Sequence, residues 1–112
     1  MGGRGAGGGG KGGGGGGIAK VDADKLNIEI ETTDWSTNAV ADYKSQIKSG
    51  KKIMPVGVDK TNPSRVVDGN HRAAAYKELG RKVPVMKIDR VKFIQDAAKY
   101  GERTAFQMQG WK

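Results

Sequence analysis

A glycine-rich run at the start of the chain limits how much of it can fold. Thirteen of the first 17 residues are glycine, and the only charged residues among them are Arg4 and Lys11. Such a segment has almost no apolar surface to bury and much backbone entropy to lose, so it is predicted to be a flexible coil rather than a leader peptide. Residues 1–17 are therefore predicted to be a disordered tail, and residues 18–112 one folded domain.

Residue composition narrows the class of protein. The chain has no cysteine, which excludes disulfides and thiolate zinc sites. It has no apolar run of about 18 residues, so no membrane span is expected, and the combination predicts a cytoplasmic protein. Residues 18–43 carry two lysines against six acidic residues (net −4), whereas residues 44–112 carry sixteen basic against six acidic residues (net +10). This asymmetry favours a polyanionic partner such as nucleic acid or a nucleotide.

Hydrophobic periodicity predicts a small mixed sheet packed with helices. Residues 26–31 alternate apolar and acidic, which predicts a half-buried first strand. Apolar residues at three- and four-residue spacing predict the next helix, with Asp34 or Ser36 as its cap and Gly50 at its end. The further predicted elements are strands over 53–58, 65–67 and 83–88, a helix whose helix-forming residues are 73–79 and which ends at Gly80, and a helix over 91–100. The predicted class is therefore an α+β fold of order β-α-β-β-α-β-α. The sequence leaves open whether residues 101–112 form a docked or a frayed tail.

The junction between the strand over 65–67 and the following helix is the candidate functional site. A helix N-terminus offers unpaired N–H groups and a partial positive charge to an anion, and Gly69 lets a phosphate approach the backbone closely. Arg72 adds a guanidinium in the first turn and His71 a second donor. The residues alone leave a structural alternative open, in which Asp68 or Asn70 caps the helix, Arg72 pairs with a surface carboxylate and His71 is a structural histidine.

Four segments of this chain, in order, resemble the core of the ParB/sulfiredoxin superfamily: residues 47–50, 53–58, 66–75 and 83–85. The most specific is Gly69-x-x-Arg72-x-x-Ala75, which is similar to the ParB box. The resemblance implies that Gly69, Asn70, His71 and Arg72 contact the phosphates of ATP or another nucleotide. Asn70 stands where sulfiredoxin carries its catalytic cysteine, so sulfinic acid repair is excluded.

The superfamily contains several activities, and the resemblance does not favour them equally. The Asp-Gly-x-His-Arg run also resembles the ADP-dependent free serine kinase branch, in which Glu29, Glu31 or Asp34 could supply a base, but the chain is short for that branch. The chain lacks the helix-turn-helix and dimerising tail of chromosome-partition ParB proteins. It is most similar to stand-alone ParB-like nuclease domains of phages and mobile elements.

That resemblance implies metal-dependent hydrolysis of DNA or ATP. Asp68, His71 and Arg72 are the predicted catalytic residues, and Asp68 with Glu31 is the predicted site for Mg²⁺ or Mn²⁺. Alternation equally places Glu29 and Glu31 on the solvent side of a strand, where acidic residues are ordinary. Positive side chains are sufficient to bind a phosphate backbone, and those predicted to hold DNA are Lys51, Lys52, Lys60, Arg65, Arg81 and Lys82.

Two aromatic residues flank the candidate site in the sequence. Trp35 and Tyr76 could stack on bases, as in single-strand binders, but both are predicted to be core residues. The leading hypothesis is a nucleotide- and DNA-binding domain with DNase or ATPase activity. The alternatives are a non-catalytic DNA- or nucleotide-binding module and an accessory structural protein of a phage or mobile element.

Overall fold

The computed structural model describes residues 17–112, in which a four-stranded sheet lies between two layers of helices. The predicted α+β class, with a small mixed sheet packed with helices, is confirmed. The glycine-rich tail predicted over residues 1–17 lies, apart from Gly17, outside the described residues. The elements in chain order are β1 (Ile18–Val21), a 3₁₀ turn (Ala23–Lys25), α1 (Asp34–Lys48), β2 (Val56–Asp59), β3 (Asn62–Asp68), α2 (Asn70–Glu78), β4 (Val83–Ile88), α3 (Arg90–Tyr100) and α4 (Glu102–Met108).

The order of strands across the sheet is β1-β4-β2-β3. The central pair, β2 and β4, is parallel with Val56 opposite Val85, and both outer pairs are antiparallel. In the β2–β3 hairpin, Gly57 lies opposite Asp68. The end of β3 therefore lies beside the start of β2, and α2 begins at that same end of the sheet.

Alternation along β4 divides the core between the two faces of the sheet. Val83 and Val85 pack with Ala73 of α2 on one face, whereas Met86 and Ile88 pack with residues of α3 and α4 on the other. Gly57 allows this second face to close, because a Cβ at residue 57 would lie 2.7 Å from Ile88 Cδ1. That Cβ would also lie 3.1 Å from Phe106 Cε1 of α4, so a larger residue at this position would displace Ile88 or Phe106.

The strand predicted over residues 26–31 is wrong, because the first strand is Ile18–Val21. Residues 26–31 form an extended segment that, within residues 17–112, has one ladder contact, an isolated bridge between Asn27 and Arg65. Of the three apolar residues, Leu26 is buried, Ile28 is half-buried and Ile30 is exposed, so the alternation corresponds to burial only over residues 26–28. Glu29, further along this segment, bonds to a side chain rather than to a neighbouring strand, because its backbone N–H donates to Asn70 Oδ1 at 2.9 Å. In this segment, the alternation of apolar residues therefore did not indicate pairing between strands.

The helix ends differ in detail from the predicted caps. Thr33, rather than Asp34 or Ser36, caps α1, because its Oγ1 accepts from the backbone N–H of Ser36 at 3.1 Å. At the other end of the chain, α4 is docked, and Phe106 and Trp111 are buried on the α3 side of the sheet. The segment over 101–112 is therefore part of the core.

The longest helix in the described part of the chain, α1, has 15 residues. Within residues 17–112, no helix is both long enough and apolar enough to cross a membrane.

Candidate nucleotide site

Helices α1 and α2 lie side by side and run in the same direction. Ser36 Oγ and His71 Nε2, in the first turns of the two helices, lie 3.0 Å apart. Further along, Lys44 Nζ of α1 donates to Glu78 Oε1 of α2 at 3.2 Å. Because the contact positions advance together along both helices, the helices are parallel and their N-termini meet.

This parallel pairing concentrates positive potential at one place. Each helix carries a partial positive charge at its N-terminus, and the macrodipoles of parallel neighbours repel each other. Thr33 caps α1, but no side chain within the described residues caps α2. The first N–H groups of α2 therefore remain available to an anion, which would also offset the repulsion.

Gly69 holds the backbone in the conformation that starts α2. Its φ of +101° lies in the left-handed region, where side chains other than hydrogen are strained. A Cβ at residue 69 would also lie 2.8 Å from Arg72 Nη2. The glycine of the Gly-x-x-Arg pattern is therefore required by the packing of the arginine three residues later.

Trp35 stands exposed beside the two N-termini. Its side chain is 71% exposed, and its ring meets that of His71 edge-on, with centroids 5.1 Å apart. The prediction that Trp35 is a core residue is wrong, because Ser36, four residues before the buried Val40, occupies the buried stripe of α1 instead. Tyr76, by contrast, packs against the core as predicted. The exposed indole provides a stacking surface next to the candidate phosphate position.

Arg72 is buried, with only 2% of its surface exposed. Its Nη2 donates to Pro55 O and Asp68 Oδ2, both at 3.0 Å, and its Nη1 donates to Glu102 Oε2 at 3.4 Å. Within residues 17–112, its Nε has no partner. Arg72 thus bonds to three parts of the chain: Asp68 at the end of β3, Pro55 before β2, and Glu102 at the start of α4. The burial of its guanidinium among these partners argues against its predicted role as a direct phosphate contact.

Two aromatic rings complete the environment of this guanidinium. Tyr43 of α1 and Phe106 of α4 each have their ring centroid 5.8 Å from Arg72 Cζ. The structural alternative for Arg72, pairing with a carboxylate, is thus realised in the protein interior rather than at the surface. The predicted phosphate contacts that remain accessible are Gly69, Asn70 and His71.

The carboxyl groups of Asp68 and Glu102 share this arginine and influence each other. Burial, together with the hydrogen bond to Glu102 and its charge, raises the pKa of Asp68 to about 7, against the lowering effect of Arg72. Although burial acts to raise the pKa of Glu102, its hydrogen bond with Asp68 and the charge of Arg72 hold that pKa below its ordinary value. The pair therefore retains one proton until close to neutral pH.

The predicted metal pair, Asp68 and Glu31, is not assembled. Asp68 faces Arg72 and Glu102, whereas Glu31 lines a separate cleft with Thr33 and Asp34, at the start of α1. In the described part of the chain, no three His, Asp or Glu side chains are grouped as a metal site requires. These two residues therefore do not fit a divalent cation in this arrangement.

The six basic residues predicted to hold DNA are spread over different parts of the surface. Lys51 and Lys52 precede β2, and Arg81 and Lys82 precede β4, so these four lie toward the end of the sheet where α2 begins. Lys60 is at the opposite end, 3.9 Å from Asp89, and Arg65 is on the edge strand, 3.9 Å from Asp59. Lys52 also donates to the Lys112 carbonyl at 2.9 Å.

Comparison with known proteins gives one distant match. No family model matches the chain, and no curated protein matches it. Among solved structures, 81% of this chain matches 36% of a chain described as a Pnob8-like ParB-N domain, with 21% identity and a TM-score of 0.44. The chain thus spans about a third of that chain's length. The description of this neighbour contains the ParB family name that the sequence resemblance also indicates.

Proposed function

We propose that the protein binds nucleotides, free or as units of single-stranded DNA, at the paired N-termini of α1 and α2. The phosphates lie against the N–H groups of residues 69–71, and the base stacks on Trp35. His71 adds a donor between the two positions. The resemblance of residues 69–75 to the ParB box supports the same ligand class, and an origin in a phage or mobile element stays a prediction of that resemblance.

The observation that carries this proposal is the exposed Trp35 beside two convergent helix N-termini. Because 71% of the Trp35 side chain is exposed, its indole contributes little to the hydrophobic core, whereas stacking on a base would remove the ring from water. Its ring lies 5.1 Å, centroid to centroid, from that of His71, in the first turn of α2. One ligand with a flat base and an adjacent phosphate satisfies both features.

Replacing Trp35 with alanine is expected to weaken the binding of ATP and of a short oligo-dT by about 10- to 100-fold, because stacking contributes about 1–3 kcal/mol per base. Affinity would be measured by titration of amide chemical shifts, which should move at residues 69–71 in the wild-type protein. Inorganic triphosphate, which has no base, should bind both proteins equally.

Tyr100→Ala is the matched control, because it also removes an exposed aromatic side chain, from α3. Equal affinity of the Trp35→Ala and wild-type proteins for ATP would contradict the stacking role. Shifts confined to other regions would contradict the whole site.

A second candidate function, hydrolysis of the bound nucleotide or DNA, is favoured by the Asp68–Glu102 pair. A carboxyl group with a pKa of about 7 is suited to accept or donate a proton near neutral pH. Asp68 ends β3, one residue before the turn that starts α2. In this proposal Asp68 is the proton-transfer group, rather than a metal ligand.

Asp68→Asn tests hydrolysis with little expected damage to the fold, because asparagine resembles the protonated carboxyl group. ATP turnover and DNA cleavage, measured with Mg²⁺ or Mn²⁺ present, should rise through about pH 7 as Asp68 ionises and should fall at least 100-fold in the variant. Turnover that persists in Asp68→Asn would indicate a contaminant. Absence of turnover in the wild-type protein at every pH would refute hydrolysis and leave the binding proposal intact.

A further inference from the structure

A groove separate from the nucleotide site crosses the sheet face on the β1 side. Its volume is about 840 Å³, and its walls include Ala19 and Val21 of β1 and Pro63 of β3. Val58 and Val85, from the two central strands, lie beneath it. This volume falls within the range of small-molecule sites, and the lining is largely aliphatic.

Four lysines surround this groove: Lys20, Lys25, Lys82 and Lys87. The lining contains one acidic residue, Asp22. None of the four lysines takes part in an ion pair within the described range. The lining therefore carries an excess of positive charge, while the alkyl stems of the lysines extend the apolar surface.

We propose that this groove binds a small amphipathic organic anion. The apolar ring or chain of the ligand lies against Ala19, Val21 and Pro63, above the buried Val58 and Val85, and its carboxylate, sulfonate or phosphate contacts the lysines of the rim. A neutral ligand would leave the lysine charges unmatched, and an inorganic anion would leave the apolar walls uncovered. The site is independent of the one assigned to nucleotides, because Trp35 and residues 69–71 do not line it.

The probe for this site is anilinonaphthalene sulfonate, and its neutral analogue N-phenylnaphthylamine is the matched ligand control. We expect saturable fluorescence enhancement with the sulfonate and at least tenfold weaker binding of the neutral analogue. The double variant Lys82→Gln/Lys87→Gln should bind the sulfonate about tenfold more weakly. Lys48→Gln/Lys99→Gln, which removes two exposed lysines outside the groove, should bind it as the wild type does.

Ser64→Trp provides a steric test, because Ser64 is exposed and lines the groove. A folded Ser64→Trp protein should lose sulfonate binding, and Trp35→Ala should retain it. Competition by dodecanoate or by naphthoate would distinguish an acyl chain from an aromatic ring. Equal binding of the neutral analogue, unchanged binding in Ser64→Trp, or displacement by single-stranded DNA alone would overturn the proposal.

Discussion

Replacing Arg72 with alanine is expected to lower the free energy of unfolding by about 3–5 kcal/mol, because it leaves Asp68 and Glu102 without their shared counter-charge. The variant also loses the packing of the guanidinium between Tyr43 and Phe106. Urea denaturation of the two proteins would measure the change. Arg81→Ala, at an exposed arginine beyond the end of α2, should change stability by less than about 0.5 kcal/mol.

The Arg72 experiment also separates its two roles. If Arg72 held phosphate directly, its removal would weaken nucleotide binding while leaving stability nearly unchanged. The buried contacts instead predict that stability is the principal loss. A folded Arg72→Ala protein of wild-type stability would therefore contradict the structural role argued from its burial.

Replacing Phe106 with alanine is expected to destabilise the protein by about 3–5 kcal/mol, as is usual for a buried aromatic side chain. Phe106 has no exposed surface, and its ring centroid lies 4.7 Å from that of Phe93 and 6.4 Å from that of Trp111. It also lies above Gly57, which leaves room for it on the sheet. The lost contacts would therefore uncouple α4 from both α3 and the sheet.

Denaturation midpoints would show this effect, with Met108→Ala as the control on the same helix. Met108 is largely exposed, so its truncation should have little effect on stability. A Phe106→Ala protein that unfolds at the wild-type denaturant concentration would show that the C-terminal helix contributes little to the fold.

The sequence predicted most of the elements because their hydrophobic periods are regular. The helix that contains Val40 and Ile47, the helix after Gly69 and the strand from Val83 all occur where their patterns place them. The first strand was misplaced because periodicity reports which side chains are buried, and cannot report which backbone groups pair. Leu26 and Ile28 follow the burial pattern while Ile30 is exposed, and the backbone N–H of Glu29 bonds to a side chain of α2 rather than to a strand.

The candidate site was harder to predict, since its partners come from distant parts of the chain. The strand-to-helix turn at Gly69 carries a local signal, and the sequence located it. Glu102, which shapes the charge around Arg72, lies 30 residues away in a segment without a strong pattern. Trp35 lies one position away from the buried stripe of α1, and only the orientation of that helix decides whether its ring is covered.

The interlock between Gly69 and Arg72 has an evolutionary consequence. Any side chain at residue 69 would clash with the guanidinium of Arg72. Loss of that guanidinium would leave Asp68 and Glu102 without their shared counter-charge. Single replacements at either position are therefore selected against for reasons of folding, even in a descendant that has lost its ligand. The Gly-x-x-Arg pattern can therefore persist in a protein that has lost the binding activity. Trp35, which does not contribute to the core, is the more informative marker of retained binding.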